Sequence, residues 1–235
     1  MTDEEVLIDA PLVPDPDADK EMGPGDAEAI ADEELKGSRF LLVRRAVEAI
    51  DISGTPGGAI KFACTFHAAP GTRFVEARLA LRLTEPPGVN IHDLAPREVR
   101  ENEPVRFKLD EKGKLSLGYA KVGAEFGQES GSSKEYAVYH CAVKGSGENT
   151  MLARWDFVEN PHKQDGLGHE QVLALTIPAT GRVAGSISVS ARLVRPGLKG
   201  TWDAIREMVV GEEERNYPVA FTIPPKTRSG FLSWL

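Results

Sequence analysis

The sequence is poor in cysteine, in aromatic residues and in long apolar runs. Its 235 residues include two cysteines, and 7% are aromatic. Two cysteines cannot form the framework of a disulfide-rich small domain. No stretch approaches the roughly 20 apolar residues that cross a bilayer as a helix. The acidic start, Met1–Glu5, lacks the basic residues and apolar run of a secretory signal. We therefore expect a soluble, cytoplasmic protein.

Sequence motifs of common catalytic sites are also missing. There is no G-x-S-x-G elbow, no phosphate-binding glycine loop, no H-E-x-x-H and no C-x-x-C. Cys64 and His67 are three residues apart, so in a strand they would point to opposite faces. Because triads are set by geometry rather than spacing, an enzyme is not excluded. We favour a protein that is not an enzyme and that needs no cofactor.

The charge is unevenly distributed along the chain. The net charge is −8 overall, but residues 1–38 hold 13 acidic and two basic residues, a net charge of −11. The other residues hold 23 acidic and 26 basic residues, a net charge of +3. Residues 1–38 also contain four prolines and no aromatic residue. They cannot bury enough apolar surface to offset their ordering entropy, so we predict a disordered acidic arm.

Residues 39–225 show the period-2 alternation of strands. In Arg73–Thr84 the apolar residues Leu79, Leu81 and Leu83 alternate with charged ones. Similar alternation recurs about nine times, separated by Gly- and Pro-rich turns. Phe40–Ile52 fits either period, and we favour a strand there. Apolar residues spaced for a helix follow Thr201, and they predict one short helix near 201–210. The predicted fold is mainly β, a two-sheet antiparallel β-sandwich of about nine strands.

One loop carries the residues of a candidate metal site. His162, Asp165 and His169 lie in a glycine-rich stretch between two predicted strands. Two imidazoles and a carboxylate can bind a divalent transition metal. The spacing matches no established zinc motif, and a plain polar loop is the commoner structure for such a stretch.

The last ten residues, 226–235, form a predicted tail with an apolar end. Chain ends are usually polar and frayed, whereas this one is apolar. It could fold back onto its own sandwich or dock on a partner by strand addition. The candidate docking residues are Phe231, Leu232, Trp234 and Leu235.

Arginines on the predicted strands raise the question of nucleic-acid binding. An exposed sheet face could be lined by Arg73, Arg78 and Arg82, or alternatively by Arg182, Arg192 and Arg195. Interleaved aromatic residues are missing, and the body carries only +3. We do not expect nucleic-acid binding.

Three functions remain as hypotheses. The first is a non-enzymatic intracellular binding or scaffolding module that acts through contacts with another protein, with a homo-oligomer allowed and a membrane not expected. The second is a metal-assisted hydrolase that uses the His162–His169 loop. The third is a membrane-acting or assembly-forming protein that is regulated by its acidic arm.

Overall fold

The structure is a computed structural model that describes residues 4–14, 37–99, 105–109, 115–119, 137–138, 142–160, 164–195, 204–210 and 216–225. Within those residues it contains 15 strands and no helix. The strands are β1 (Glu5–Pro14), β2 (Arg39–Ile52), β3 (Thr55–His67), β4 (Arg73–Glu85), β5 (Asp93–Ala95), β6 (Glu98–Val99), β7 (Val105–Leu109), β8 (Leu115–Tyr119), β9 (Ala137–Val138), β10 (Ala142–Ser146), β11 (Leu152–Val158), β12 (Gln171–Ile177), β13 (Gly181–Arg195), β14 (Ala204–Val210) and β15 (Tyr217–Ile223).

Twelve of these strands form one large antiparallel sheet. Its order is β5-β12-β3-β2-β1-β14-β13-β4-β11-β10-β6, and β15 pairs with β13 outside this path. The remaining strands form a small sheet in the order β8-β7-β9. The mainly β, antiparallel architecture is thus confirmed.

The large sheet curls into a nearly closed barrel, and two segments join its halves. On one side, β1 pairs with β2 through Glu5–Pro11 and with β14 through Leu12–Pro14. On the other side, β5 pairs with β12 and β6 pairs with β10, and these two short strands follow each other in the chain. The expectation of about nine strands in two separate sheets does not describe this arrangement. The difference arises because β5 and β6 are only three and two residues long, and because β1 lies in the acidic, proline-containing arm that was predicted to be disordered.

The core is a layer of apolar side chains inside the barrel. Ala77, Leu79, Leu81 and Leu83 of β4 are buried, while the charged residues between them are exposed. The alternation predicted for this strand is therefore confirmed. Aromatic rings pack against one another in this core. Phe40 and Phe66 lie on the neighbouring strands β2 and β3, with 5.1 Å between ring centroids. Rings of β3 also contact those of β4, β11 and β15, at 6.0 Å for Phe66–Phe74, 5.7 Å for Phe66–Phe157 and 5.6 Å for Phe62–Phe221.

The helix predicted near 201–210 is wrong for its described part. Ala204–Val210 is the strand β14, which pairs with β13 on one side and with β1 on the other. Backbone pairing on both sides outweighs the weak local preference for a helix. Thr201 lies outside the described residues.

The acidic arm also differs from its prediction where it is described. Glu5–Pro14 is not disordered but lies in the middle of the large sheet as β1. Ile8, Ala10 and Leu12 are buried there. The rest of the arm and the tail at 226–235 lie outside the described residues, so the domain boundaries stay predictions. Phe40–Ile52 is a strand, as expected.

Candidate functional site

A 42-residue insertion, residues 100–141, leaves and re-enters the large sheet at one place. The strand before it, β6, pairs with the strand after it, β10, through Val99↔Val143 and Glu98↔Lys144. The two ends of the insertion are therefore neighbours on the sheet.

The described part of the insertion is the small sheet β8-β7-β9, which lies against the large sheet where β8 contacts β5 and β12. Its central pairing brings like residues together. The apolar pairs are Val105↔Tyr119, Phe107↔Leu117 and Leu109↔Leu115. Between them alternate the pairs Arg106↔Gly118 and Lys108↔Ser116. Directly opposed residues of an antiparallel pair share a face. The register thus gives the hairpin one apolar set and one polar set of residues.

Next to the insertion, a charged cluster fixes the segment that joins β12 to β10. Asp93 is 2% exposed. Its Oδ1 atom accepts hydrogen bonds from Arg97 Nε at 3.2 Å, from Arg97 Nη2 at 2.8 Å and from the Leu94 N–H at 2.8 Å. Arg97 Nη2 also pairs with Glu148 on the turn after β10. The hydrogen bond to Asp93 raises the pKa of Arg97, and burial raises the pKa of Glu148.

The outer face of β4, β11 and β13 carries a second set of charges. Arg78 Nε lies 2.6 Å from Asp156 Oδ1, and Arg154 Nε lies 3.1 Å from Asp156 Oδ2. One carboxylate thus serves two guanidinium groups. Arg192 and Glu76 form a further pair at 3.2 Å. An open groove of about 490 Å³ runs between these side chains.

Arginines also hold the N-terminal strand in place. Glu4, Glu5 and Asp9, in and just before β1, each pair with an arginine of β2. The distances are 2.5 Å for Arg45–Glu4, 2.7 Å for Arg44–Glu5 and 2.7 Å for Arg39–Asp9. These ion pairs join the described start of the acidic arm to the body of the barrel.

The predicted metal-binding residues are only partly described. Asp165 and His169 face each other, with 3.5 Å between His169 Nε2 and Asp165 Oδ2. His162 lies outside the described residues. Among the described residues, no group of three His, Cys, Asp or Glu side chains could hold a metal. The metal site therefore stays a prediction.

A buried ion pair anchors the base of this loop. Glu159 Oε1 lies 3.0 Å from Arg73 Nε, and the same oxygen accepts the Gly166 N–H at 2.7 Å. The loop is thus ordered by Glu159, which the sequence patterns did not single out. The candidate docking residues Phe231, Leu232, Trp234 and Leu235 lie outside the described residues.

Phe107 and Leu117 lie in short alternating segments of the sequence, but the sequence does not show that these segments pair with each other in a separate sheet. Arg78 and Arg82 were placed on one face of β4, but the register that adds Arg154 could not be read from the sequence.

No helix in the described part of the chain has the length and apolar character to cross a membrane.

Comparison with known proteins gives distant structural likenesses only. No protein-family model matches the chain, and no curated protein matches it. Clostridium perfringens delta-toxin is 10% identical with a TM-score of 0.35, covering 83% of this chain and 86% of its own. A structure described as "Pore forming protein" is 8% identical with a TM-score of 0.36, covering 83% and 88%. Clostridium perfringens NetB toxin, described as in the membrane inserted form, is 8% identical with a TM-score of 0.29, covering 92% and 95%.

These findings overturn four expectations from the sequence. The cytoplasmic location, the intracellular binding or scaffolding function, the other protein as its expected partner and the exclusion of membranes are wrong. The similar structures are described as toxins, as a pore-forming protein and as membrane inserted. These expectations rested on the lack of a long apolar run and of a signal-like start in the sequence.

Proposed function

We propose that this chain is a membrane-acting, assembly-forming protein, and that residues 100–141 are the segment that enters the bilayer. The observation that carries the proposal is the β7–β8 register, which pairs apolar residues with one another and places Arg106 and Lys108 opposite Gly118 and Ser116. The names of the similar structures agree with the proposal, but the argument rests on this insertion.

The alternation of β7 and β8 has a physical reason in a membrane. Strands that cross a bilayer alternate between residues that face lipid and residues that face a polar interior. Val105, Phe107 and Leu109 would meet lipid, while Arg106 and Lys108 would face water. A crossing strand needs about 9–11 residues. The 42 residues of the insertion are enough for two such strands and a turn.

Assembly follows from the backbone. A single hairpin in lipid would leave the N–H and C=O groups of both its edges without partners, at several kcal/mol per group. Hairpins from several copies can pair edge to edge and close a ring. One hairpin per chain therefore requires a homo-oligomer.

The large sheet can remain folded while the insertion moves. Its pairs Val99↔Val143 and Glu98↔Lys144 hold the two roots of the insertion together. The Arg97–Asp93 hydrogen bonds fix the preceding segment. The large sheet would thus stay folded on the membrane surface, while the insertion would lose its contacts with β5 and β12.

A pair of substitutions on neighbouring positions of β8 tests the proposal. Leu117→Arg places a charge in the apolar set, where it would cost about 2–4 kcal/mol per chain at the bilayer centre. Ser116→Arg places the same charge in the polar set. In dye release from liposomes, we expect the wild type and Ser116→Arg to be active and Leu117→Arg to be inactive. Equal activity of the two variants would contradict the proposal.

A second measurement follows assembly. We expect ultracentrifugation of detergent-solubilised liposomes to show one large oligomer for the wild type. A wild-type chain that releases dye and stays monomeric would contradict the ring of hairpins.

A further inference from the structure

The outer face of β4 and β11 has more guanidinium groups than carboxylates. Arg78 and Arg154 share the single carboxylate of Asp156. Arg82 lies on the same face of β4, and within the described ranges it has no ion-pair partner. The side chains of Arg78 and Arg154 are 55% and 45% exposed. With the Arg192–Glu76 pair of the same outer face included, four arginines stand against two carboxylates, so this face is locally cationic although the whole chain carries −8.

The sheet register brings the three arginines around one small residue. Arg154 stands directly opposite Ala80, which lies between Arg78 and Arg82 on the same face of β4. With strands about 4.8 Å apart and about 3.4 Å per residue, Arg154 is diagonal to both at about 8 Å between Cα atoms. On the other side of Ala80 stands Ser188 of β13. We name these three arginines around Ala80 the arginine triangle.

Apolar residues flank the arginine triangle at both ends of β11. Met151, just before β11, and Val158, its last residue, are each 43% exposed. Val158 lies on the same face of β11 as Arg154, four residues further along the strand, and Met151 lies in the bend before the strand. Such a combination suits the boundary between lipid headgroups and acyl chains, where apolar contact and attraction to anionic lipids act together.

The arginine triangle lies close to the insertion. β11 pairs with β10, whose first residue, Ala142, follows the insertion directly and stands opposite Val158. A membrane that meets this face would be next to the root of residues 100–141. This inference rests on the proposed function, and it names the surface that holds the body on the bilayer.

We propose that the arginine triangle binds the phosphates of anionic phospholipids. The planar guanidinium fork matches phosphate oxygens in two hydrogen bonds. The small side chains of Ala80 and Ser188 leave the floor of the triangle low enough for a headgroup to approach. Each basic residue near an anionic surface contributes about 1 kcal/mol, which is about a fivefold change in partitioning. Three together give about a hundredfold change.

The test is co-sedimentation of the full chain with two kinds of vesicle, phosphatidylcholine alone and phosphatidylcholine mixed with phosphatidylserine. The triple variant Arg78→Gln, Arg82→Gln, Arg154→Gln should lose about a hundredfold in partitioning to the mixed vesicles. Arg82→Gln alone should lose about fivefold, and because that side chain has no ion pair in the described part of the chain, its folding should be unaffected.

The matched control for Arg82→Gln removes one positive charge from β3, which is not a neighbour of β4 or β11 in the sheet. It is Lys61→Gln, at an exposed ion pair with Glu48. Charges beyond the Debye length of about 8 Å are screened, so we expect less than a threefold change. Equal losses for Lys61→Gln and Arg82→Gln, or equal binding of the wild type to both vesicles, would overturn the inference. Full displacement by millimolar inorganic phosphate at matched ionic strength would identify a small-anion site and overturn it as well.

The outcomes separate this inference from the proposed function. If Leu117→Arg stops dye release but still sediments with mixed vesicles, both stand. If the wild type sediments with mixed vesicles, the triple variant does not, and the wild type releases no dye, the proposed function fails and the inference stands. If dye is released and the triple variant binds like the wild type, the inference fails alone.

Discussion

Glu159 is the residue whose removal should damage the body of the protein most directly. Its side chain is 8% exposed, and its partner Arg73 is 18% exposed. Glu159 also accepts the Gly166 N–H at 2.7 Å, and its own N–H donates to the Val75 carbonyl oxygen at 2.7 Å. One side chain therefore joins the start of β4 to the loop that follows β11.

The expected effect of Glu159→Ala follows from these contacts. Breaking a buried ion pair by removing one partner costs about 3–5 kcal/mol, because the remaining charge is left uncompensated. Arg73 can regain some water through its exposed part, so we expect the lower end, about 3 kcal/mol. For a chain of this length each kcal/mol lowers the Tm by about 2–4 °C, which gives a fall of about 6–12 °C.

The assay is thermal unfolding followed by circular dichroism, with Glu76→Ala as the matched control. Glu76 makes an exposed pair with Arg192, and such pairs contribute at most about 1 kcal/mol. Its Tm should fall by less than about 4 °C. Glu159→Gln should fall between the two, because its amide oxygen can still accept the Gly166 N–H. Similar shifts for Glu159→Ala and Glu76→Ala would refute the reasoning.

Two further predictions concern the segment where the barrel closes. Because burial raises the pKa of Glu148, its ionised form is disfavoured in the folded state, and stability is lost as the pH rises from the ordinary glutamate value of 4.5 through the raised pKa. Glu148→Gln should therefore weaken the fall of the Tm as the pH rises above 4.5, and an unchanged profile would contradict this. At Gly145, an added Cβ would overlap the Pro96 carbonyl oxygen, so Gly145→Ala should lower the Tm. Gly168→Ala, where a Cβ would lie no closer than 3.9 Å to another atom, should not, and a similar fall in both would show that the close approach is unimportant.

The strands were predictable wherever local alternation was strong. β4 alternates over most of its length, and its burial follows the sequence residue by residue. β13 behaves in the same way, with Val183, Ile187 and Val189 inward. In both cases the side chains alone report which face is buried, so no knowledge of the partner strand is needed.

Other elements depend on partners that a sequence does not show. β1 lies in the acidic, proline-containing arm, and it is held in the sheet partly by ion pairs. The arginines Arg39, Arg44 and Arg45 on β2 pair with carboxylates in and just before β1. β14 has the spacing of a helix, but it is paired on both sides. In both segments the local sequence pattern is present, but pairing with neighbouring strands determines the structure.

The candidate site shows the same limit. The alternation of β7 and β8 is visible in the sequence. Their pairing into a separate sheet is not, because the residues of a strand do not indicate which sheet the strand joins. Similarly, Arg154 joins Arg78 and Arg82 only through the β4–β11 register. Both features are sets of residues from distant parts of the chain, so the register must be known before the site can be assembled.

The arginines of β2 and those of β4 and β11 are neutralised by carboxylates to different extents, and this difference bears on which face of the barrel would meet a membrane. On β2, Arg39, Arg44 and Arg45 each have a carboxylate of their own from residues 4–9, so that wall offers no excess positive charge at these positions. On β4 and β11 the arginine triangle shares one carboxylate. The acidic residues Glu4, Glu5 and Asp9 thus neutralise the arginines of β2, whereas the outer face of β4 and β11 stays cationic. An anionic bilayer should therefore meet the wall that lies next to the insertion.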